Sequence, residues 1–369
     1  MTTEYPESCH RVLSTGYSVL DRCSRESAAR FYLALVLLLF VTFLSFPSKL
    51  AADDASNARR PKNDDELRFW LDNMLVHHRF TVEEAAAATS MGAEEITTAA
   101  KRLEIGVKKL RNTAPLLVLP YPGGRHPRIG FLDGAVNPQR ETKVSVFAPW
   151  NDGGYAVVDV PEAIWHETLT PDPSPTGGEG KKSVRSLLYL AHKHVPTIWD
   201  KQGVKLEPME WQEIKNGWYL ERTLPNKVAF GTRVNPRADY VRMEMWLTNG
   251  TAETLRGLVV QNCVMLKALT SFEQQTNDNK LFQKPYVACH NPDKSRWIIT
   301  AWDPCQRAWG NPPCPCLHSD PQFPDAEPNK TVHLKGWLSF YEGQDIDAEI
   351  KRIDGLDWKT DAKTPSGNE

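Results

Sequence analysis

The 369-residue sequence has no strong excess of one charge, since 44 lysines and arginines oppose 46 aspartates and glutamates. Proteins that grip nucleic acid through its phosphates need a basic surface, so this balance argues against nucleic acid as a partner. The Gly-Gly pair at 123–124 lacks the strand-then-helix context of a phosphate-binding loop and is interpreted as a turn. The sequence contains no motif that names a reaction.

Long apolar runs are scarce, and the strongest one, FYLALVLLLFVTFLSF at 31–46, is short. As a helix its 16 residues would span about 24 Å, less than the roughly 30 Å of a bilayer core. Arg22, Arg25 and Arg30 precede it and small residues follow it, as in a signal peptide. The sequence therefore predicts export, with residues 1–52 as a signal peptide or as an uncleaved N-terminal anchor. A cytoplasmic-facing anchor is the weakest alternative, and membrane contact is expected only through this segment.

Cysteine is also infrequent, with seven in the chain and five after residue 52. In an oxidising compartment these five are disulfide candidates, and their odd number leaves at least one unpaired. The sequence does not decide which of them pair. They are Cys263, Cys289, Cys305, Cys314 and Cys316.

A helical module is predicted at 64–112, after a polar linker at 53–63. Thr81 and Glu84 have the spacing of a capping box, and an apolar stripe through Ile96 predicts a third helix. The module resembles a helix-turn-helix, but Glu94 and Glu95 would repel phosphates where such a motif approaches DNA. It is therefore interpreted as a packing or interaction module.

From residue 116 onward the apolar residues recur every second position, which predicts strands. The fold class predicted is mostly β, with the small three-helix unit followed by a large antiparallel β-sandwich at 113–357. A Pro/Gly-rich stretch at 168–184 is interpreted as a surface-loop insertion, and residues 358–369 as a disordered tail. The predicted strands are 116–119, 143–147, 155–160, 218–223, 227–234, 240–248, 255–266, 297–302 and 332–341, followed by a helix near 346–353.

His192 and His194 form the first candidate site. Residues two apart in an extended segment point to the same side, so both imidazoles could bind one divalent metal. The alternatives are acid/base chemistry without a metal and a pair of partly exposed histidines without a function.

The second candidate is the segment from Cys314 to Asp320, where four potential ligands alternate. Its prolines predict an ordered loop rather than an interior strand. His318 and Asp320 are candidate catalytic residues, Cys316 and His318 are candidate metal ligands, and a bridge from Cys305 to Cys314 or Cys316 would staple the loop. Nearby Trp302, Arg307 and Trp309 could form a sugar-binding cleft or could cover the apolar underside of the loop.

The segment VRMEMWLTNGTAETLRGLVVQNCVML, followed by WLSFY at 337–341, resembles the meander of the galactose mutarotase-like supersandwich. That fold serves sugar epimerases and domains of lyases and hydrolases. Nearly the whole mature chain also resembles exported planctomycete-type proteins of unknown function, through strings such as NPPCPCLHSDPQFPD. These resemblances imply the fold and export, and no catalytic residue is carried over.

Three functions follow as expectations. The first is recognition of a carbohydrate or glycoconjugate, and the second is a sugar-active epimerase, lyase or hydrolase, with or without a divalent metal. The third is a structural envelope protein. An enzyme requires titratable groups that converge in one concave pocket, whereas a structural protein would bury its tryptophans and lack a sizeable pocket.

Overall fold

The computed structural model describes residues 58–106, 115–131, 140–171, 181–191 and 195–360, which belong to one compact unit. The apolar run at 31–46, residues 53–57 of the linker, and both His192 and His194 lie outside these ranges. Among the helices of the described ranges, none combines the length and the apolar character needed to cross a membrane.

The helical module begins with α1 (Asp64–Leu71), whose N-cap is the Asn63 side chain, and continues as a π-helical turn (Asp72–His77). The helices α2 (Val82–Thr89) and α3 (Ala93–Arg102) follow. The predicted capping box is present: the Thr81 side chain accepts from the Glu84 N–H, and the Glu84 carboxylate accepts from the Thr81 N–H. The apolar stripes of the three helices pack into one cluster on the sandwich.

The first sheet has seven antiparallel strands in the order β1-β2-β3-β9-β14-β13, and β4 pairs with the far half of β3. Its strands are β1 (Val118–Pro120), β2 (Lys143–Phe147), β3 (Tyr155–Pro171), β4 (Lys181–Leu190), β9 (Arg256–Met265), β13 (Cys305–Asn311) and β14 (Cys316–Pro321). The short helix α4 (Ile198–Lys201) follows β4.

The second sheet has eight antiparallel strands in the order β10-β11-β12-β15-β8-β7-β6-β5. They are β5 (Gln212–Ile214), β6 (Gly217–Thr223), β7 (Ala229–Pro236), β8 (Tyr240–Thr248), β10 (Lys280–Gln283), β11 (Tyr286–His290), β12 (Arg296–Asp303) and β15 (Thr331–Glu342). The helix α5 (Ile346–Asp354) packs on the outer face of this sheet. The mostly β architecture predicted from the sequence is confirmed.

The alternation along each strand divides the first sheet into two faces. On β9, Val260 and Val264 point into the main core between the sheets, whereas Cys263 and Met265 point outward to the helical module. On β14, Leu317 points inward and Cys316 points outward. Because Leu317 pairs with Val264, the register places His318 opposite Cys263 on the outer face.

The segment from Cys316 to Pro321 is an interior strand, and the prediction of a loop is wrong. It pairs with β13 on one side and β9 on the other, and all six residues are buried. The prolines do not prevent this, because Pro315 precedes the strand and Pro321 is its last residue, where no interior ladder bond is lost.

Two further boundaries differ from the sequence predictions. The stretch at 168–184 is not entirely a loop, because Thr168 pairs with Val184 and Pro171 with Lys181 in the β3–β4 hairpin, while residues 172–180 lie outside the described ranges. The predicted disordered tail starts too early. Trp358 is buried beneath α5 and its indole N–H donates to the Tyr286 hydroxyl at 3.1 Å.

Candidate functional site

A cavity of about 280 Å³ lies on the outer face of the first sheet, beside the buried cysteines. We call it the site cavity. Strands β3, β4, β9, β13 and β14 form its walls, together with Arg128 from the segment after β1. Its polar and aromatic lining residues are Arg128, Glu162, Trp165, Gln261, Trp309, Asn311, Cys316 and His318.

Glu162 is a charged residue of this wall whose side chain is held firmly in place. Its side chain is only 3% exposed, and it forms a salt bridge with Arg128 through Oε1. Its other oxygen, Oε2, accepts a hydrogen bond from the Gln261 side chain at 2.9 Å. A buried carboxylate with both oxygens bonded in this way is fixed in position, which suits it for orienting a polar ligand.

His318 is buried at 2% exposure and its orientation is set by the backbone. Its Nδ1 lies 2.7 Å from the carbonyl oxygen of Asn262, which can only accept, so Nδ1 carries a proton and donates it. Burial would lower the pKa of His318, but the neighbouring Cys263, Glu162 and Asp320 raise it to about 9. The Trp309 ring stacks on the imidazole at 3.9 Å between centroids.

Asp320 supports this arrangement from the same face of β14 and does not line the cavity. Its Oδ2 accepts from the Trp309 indole at 2.7 Å and from the Arg307 guanidinium at 2.8 Å. Its Oδ1 accepts from the Asn262 N–H at 3.2 Å and lies 3.9 Å from His318 Nδ1. The structure brings the predicted pair His318 and Asp320 together, but the carboxylate is occupied in holding Trp309 and Arg307.

Three potential metal-binding atoms lie close together, two from cysteines and one from His318. The sulfur atoms of Cys263 and Cys316 and a ring nitrogen of His318 all lie within 4.8 Å of one another, and all three residues are buried. Burial would raise the pKa of the Cys263 thiol, but the hydrogen bond from Cys316 and the positive charge of His318 lower it. The pKa of Cys316 is raised by its hydrogen bonds to Cys263 and Cys314 and by burial. The cluster therefore favours one thiolate, held by its neighbours.

The proposed staple from Cys305 is not formed. All five cysteines in the described ranges are free thiols. The hairpin sets Cys305 opposite Pro321 and Cys316 opposite Asn311, at the two ends of β14. At about 3.3 Å per residue these ends are roughly 17 Å apart, well beyond the reach of a disulfide.

The predicted sugar-binding residues divide between two places. Trp309 lines the site cavity, and Arg307 covers the Trp309 ring at 4.4 Å from its centroid. Trp302 is 1% exposed in the core between the sheets, so its place in the predicted cleft is wrong. It lies on β12 of the second sheet, on the inward side of that strand.

The predicted metal pair cannot be placed, because His192 and His194 lie outside the described ranges. Of the described residues near them in the sequence, Leu190 and Val195 line the site cavity. The pair stays a prediction.

A second, larger cleft of about 660 Å³ lies between the helical module and the end of the first sheet. Its buried histidine, His78, has one ring nitrogen 2.9 Å from the Asn73 carbonyl oxygen and the other 2.7 Å from the Ser145 hydroxyl. Of its two lining arginines, Arg125 is paired with Glu84 and Arg79 is exposed. Since His78 and Arg125 are committed to the fold, the larger volume alone does not make this cleft the better site.

Sequence reasoning missed most of the cavity wall. Cys263 was considered only as a disulfide candidate, and Arg128, Glu162, Trp165 and Gln261 were not considered at all. Each stands alone in the sequence, without a partner at a recognisable spacing. The pairing of β3 with β9 and of β9 with β14 brings the strand residues together, and Arg128 joins them from the segment after β1.

No family model and no curated protein matches this chain. Solved structures match parts of it at low identity. The Slr1438 protein of Synechocystis sp. PCC 6803 is 12% identical, with a TM-score of 0.30 over 55% of this chain and 88% of that one. YeaD of Salmonella typhimurium, a candidate mutarotase, is 12% identical, with a TM-score of 0.25 over the same shares.

The heparan sulfate lyase HepC of Pedobacter heparinus is 10% identical, with a TM-score of 0.28 over 68% of this chain and 40% of that one. Solved structures similar to parts of the chain thus include mutarotase-type and other carbohydrate-related proteins. At these TM-scores the likeness carries no argument about the site, so its chemistry has to be judged from its own residues.

Proposed function

We propose that the protein binds a small carbohydrate in the site cavity. The observation that carries the proposal is the composition of the wall, in which Trp165 stands beside the bonded pair of Arg128 and Glu162. Trp309 closes the wall, because its ring lies between the His318 imidazole and the Arg307 guanidinium. A sugar presents an apolar C–H face and a rim of hydroxyl groups. Aromatic rings suit the first, and charged or amide groups that donate and accept hydrogen bonds suit the second.

The size of the cavity favours a ligand of one sugar unit. Its volume of about 280 Å³ lies at the lower end of the range for small-molecule sites. Gln261 and Asn311 add amide groups to the wall, and both can donate to or accept from a hydroxyl. A purely structural protein would not need a cavity that gathers these groups.

The test is ligand-observed NMR of the full chain against a panel of monosaccharides and uronic acids. At least one sugar should show saturation transfer, and both Glu162→Gln and Trp165→Ala should abolish it. The matched control is Glu244→Gln, which removes a carboxylate charge paired with Lys335 on the other sheet and should leave the signal unchanged. If no sugar binds, or if both cavity variants bind as the wild type does, the proposal fails.

A sugar-active enzyme is the second candidate, because two titratable groups share the cavity wall. Glu162 supplies a carboxylate and His318 supplies an imidazole, whose pKa burial lowers and the neighbouring Cys263, Glu162 and Asp320 raise more strongly. A base and an acid on one ligand are the requirement for proton transfer at a sugar carbon or oxygen. Exchange NMR of the bound sugar would detect anomer interconversion or new product. A bound sugar that stays unchanged would leave a binding protein.

We also propose that the apolar run at 31–46 directs export. Its support is the sequence pattern alone. Mass spectrometry of the protein from its native cells should find an N-terminus beyond the run, or the intact chain in the membrane fraction. Intact chain in the soluble cytosol would contradict the proposal.

A further inference from the structure

We propose that Cys263, Cys316 and His318 form a zinc site whose fourth coordination position opens into the site cavity. The three potential ligand atoms lie within 4.8 Å of one another, and the residues are buried on neighbouring strands of one sheet. Zn–S bonds of about 2.3 Å and Zn–N bonds of about 2.0 Å in a tetrahedron set ligand atoms about 3.5–3.8 Å apart. Each atom therefore needs to move by less than about 1 Å to bind one ion.

The donor set selects the kind of metal. Two thiolates and an imidazole suit zinc, whereas magnesium and calcium prefer oxygen ligands. The charges also balance, because two thiolates neutralise Zn²⁺. The nearby Arg128, 3.9 Å from the Cys263 sulfur, has its own counter-charge in Glu162. The ion would then leave no uncompensated charge in a buried place.

The surroundings of His318 are those of a metal ligand. Its Nδ1 donates to the Asn262 carbonyl oxygen, which leaves the lone pair of the neutral ring on Nε2. A bond of this kind from the second ring nitrogen to a backbone carbonyl commonly orients ligating histidines. The Trp309 ring stacks on the imidazole and is itself held by Asp320, so it fixes the plane of His318 further.

The open position follows from the cavity wall. Cys316 and His318 line the site cavity, whereas Cys263 faces the helical module and is fully buried. A metal held by the three side chains would therefore meet the cavity on one side. Three protein ligands and an open position form the arrangement of catalytic rather than structural zinc sites. The inference does not depend on carbohydrate binding, because the ligand atoms are supplied by the protein alone.

Binding has a defined proton balance. Two S–Zn bonds and one N–Zn bond form. Whether the cluster starts as two thiols with a neutral imidazole or as one thiol, one thiolate and an imidazolium, two protons pass to the solvent. No oxidant or reductant is needed.

The experiment starts from the full chain, stripped with a chelator under reducing conditions and titrated with Zn²⁺ alone. We expect one tightly bound zinc per chain and two protons released per zinc in weakly buffered solution. X-ray absorption at the zinc edge should give two sulfur neighbours at about 2.3 Å. This measurement uses the wild-type chain, so it does not depend on whether a variant folds.

Variants then assign the ligands. Cys263→Ser and Cys316→Ser should each lose the zinc, whereas the control Cys289→Ser, which changes a buried cysteine on the second sheet, should keep it. Co²⁺ in place of zinc should give a thiolate-to-metal charge-transfer band only where both ligand cysteines are present. No bound zinc in the wild type, a sulfur-free shell, or three sulfur neighbours, which would add Cys314, would each overturn the site as proposed. A variant that loses zinc but still binds sugar would show that the zinc site and the proposed sugar binding are independent of each other.

Discussion

His78 should make the fold unstable in mild acid. It follows the π-helical turn, is 2% exposed, and joins the helical module to Ser145 on β2. The rings of Phe80, Tyr121, Phe147 and Tyr155 surround it at centroid distances of 4.6–5.9 Å. Burial in this setting, together with the positive charges of His77 and Arg125, lowers the pKa of His78 to about 3, against the hydrogen bond to Asn73.

The sign and size of the effect follow from the two pKa values. The unfolded chain takes up a proton on His78 near the ordinary pKa of 6.5, whereas the folded chain does so only near 3. Stability is therefore complete above about pH 6.5 and falls as the pH drops from there toward about 3. Between about pH 6.5 and about pH 5, this one group should cost about 2 kcal/mol of the free energy of unfolding.

The assay is urea denaturation at a series of pH values. His78→Gln keeps an amide donor and acceptor but cannot titrate, so its free energy of unfolding should fall by about 2 kcal/mol less than that of the wild type across this range. The control His333→Gln changes an exposed histidine on β15 and should keep the wild-type slope. Equal slopes for wild type and His78→Gln would refute the reasoning.

Three further changes test the packing. Thr81→Ala removes the first half of the capping box and should cost about 1 kcal/mol of unfolding free energy, measured by urea denaturation. A Cβ on Gly336 would lie 2.7 Å from the buried Trp302 ring, so Gly336→Ala should cost about 1–3 kcal/mol. The control Gly355→Ala meets nothing closer than 3.4 Å and should cost much less. Trp358→Ala empties a buried site under α5 and should cost about 3–5 kcal/mol, whereas a disordered residue there would cost nothing.

Strands with one buried and one half-exposed face could be predicted from the sequence to the residue. The strand β8, Tyr240–Thr248, has the bounds that alternation predicts. The bounds of β2, Lys143–Phe147, were also predicted, although its first four residues are all buried. In β8 every second residue is buried and the others are half-buried, which is the condition that alternation detects. The capping box at Thr81 could also be predicted, because its hydrogen bonds join residues that are close in the sequence.

The strand β14 could not be predicted because its sequence lacks the alternation of apolar and polar residues that identified β8. His318, Ser319 and Asp320 are polar and still fully buried, since each has a partner from another strand. A strand in the middle of a sheet that buries polar residues on both faces shows no alternation of apolar and polar residues. The flanking prolines therefore led to the prediction of a loop, although they lie only at the ends of the strand.

The outer face of the first sheet explains why a packing module and a site lie next to each other. Along β9, Met265 contacts the cluster under the helices, Cys263 lies at its border, and Gln261 lines the site cavity. Four residues along the strand, about 13 Å, thus lead from packing to site on one face. The helical module covers part of this face, and the cavity lies on another part. Its helices are therefore a wall that shields Cys263 from water, and a buried cluster of two thiols and a histidine beside the site cavity is the consequence.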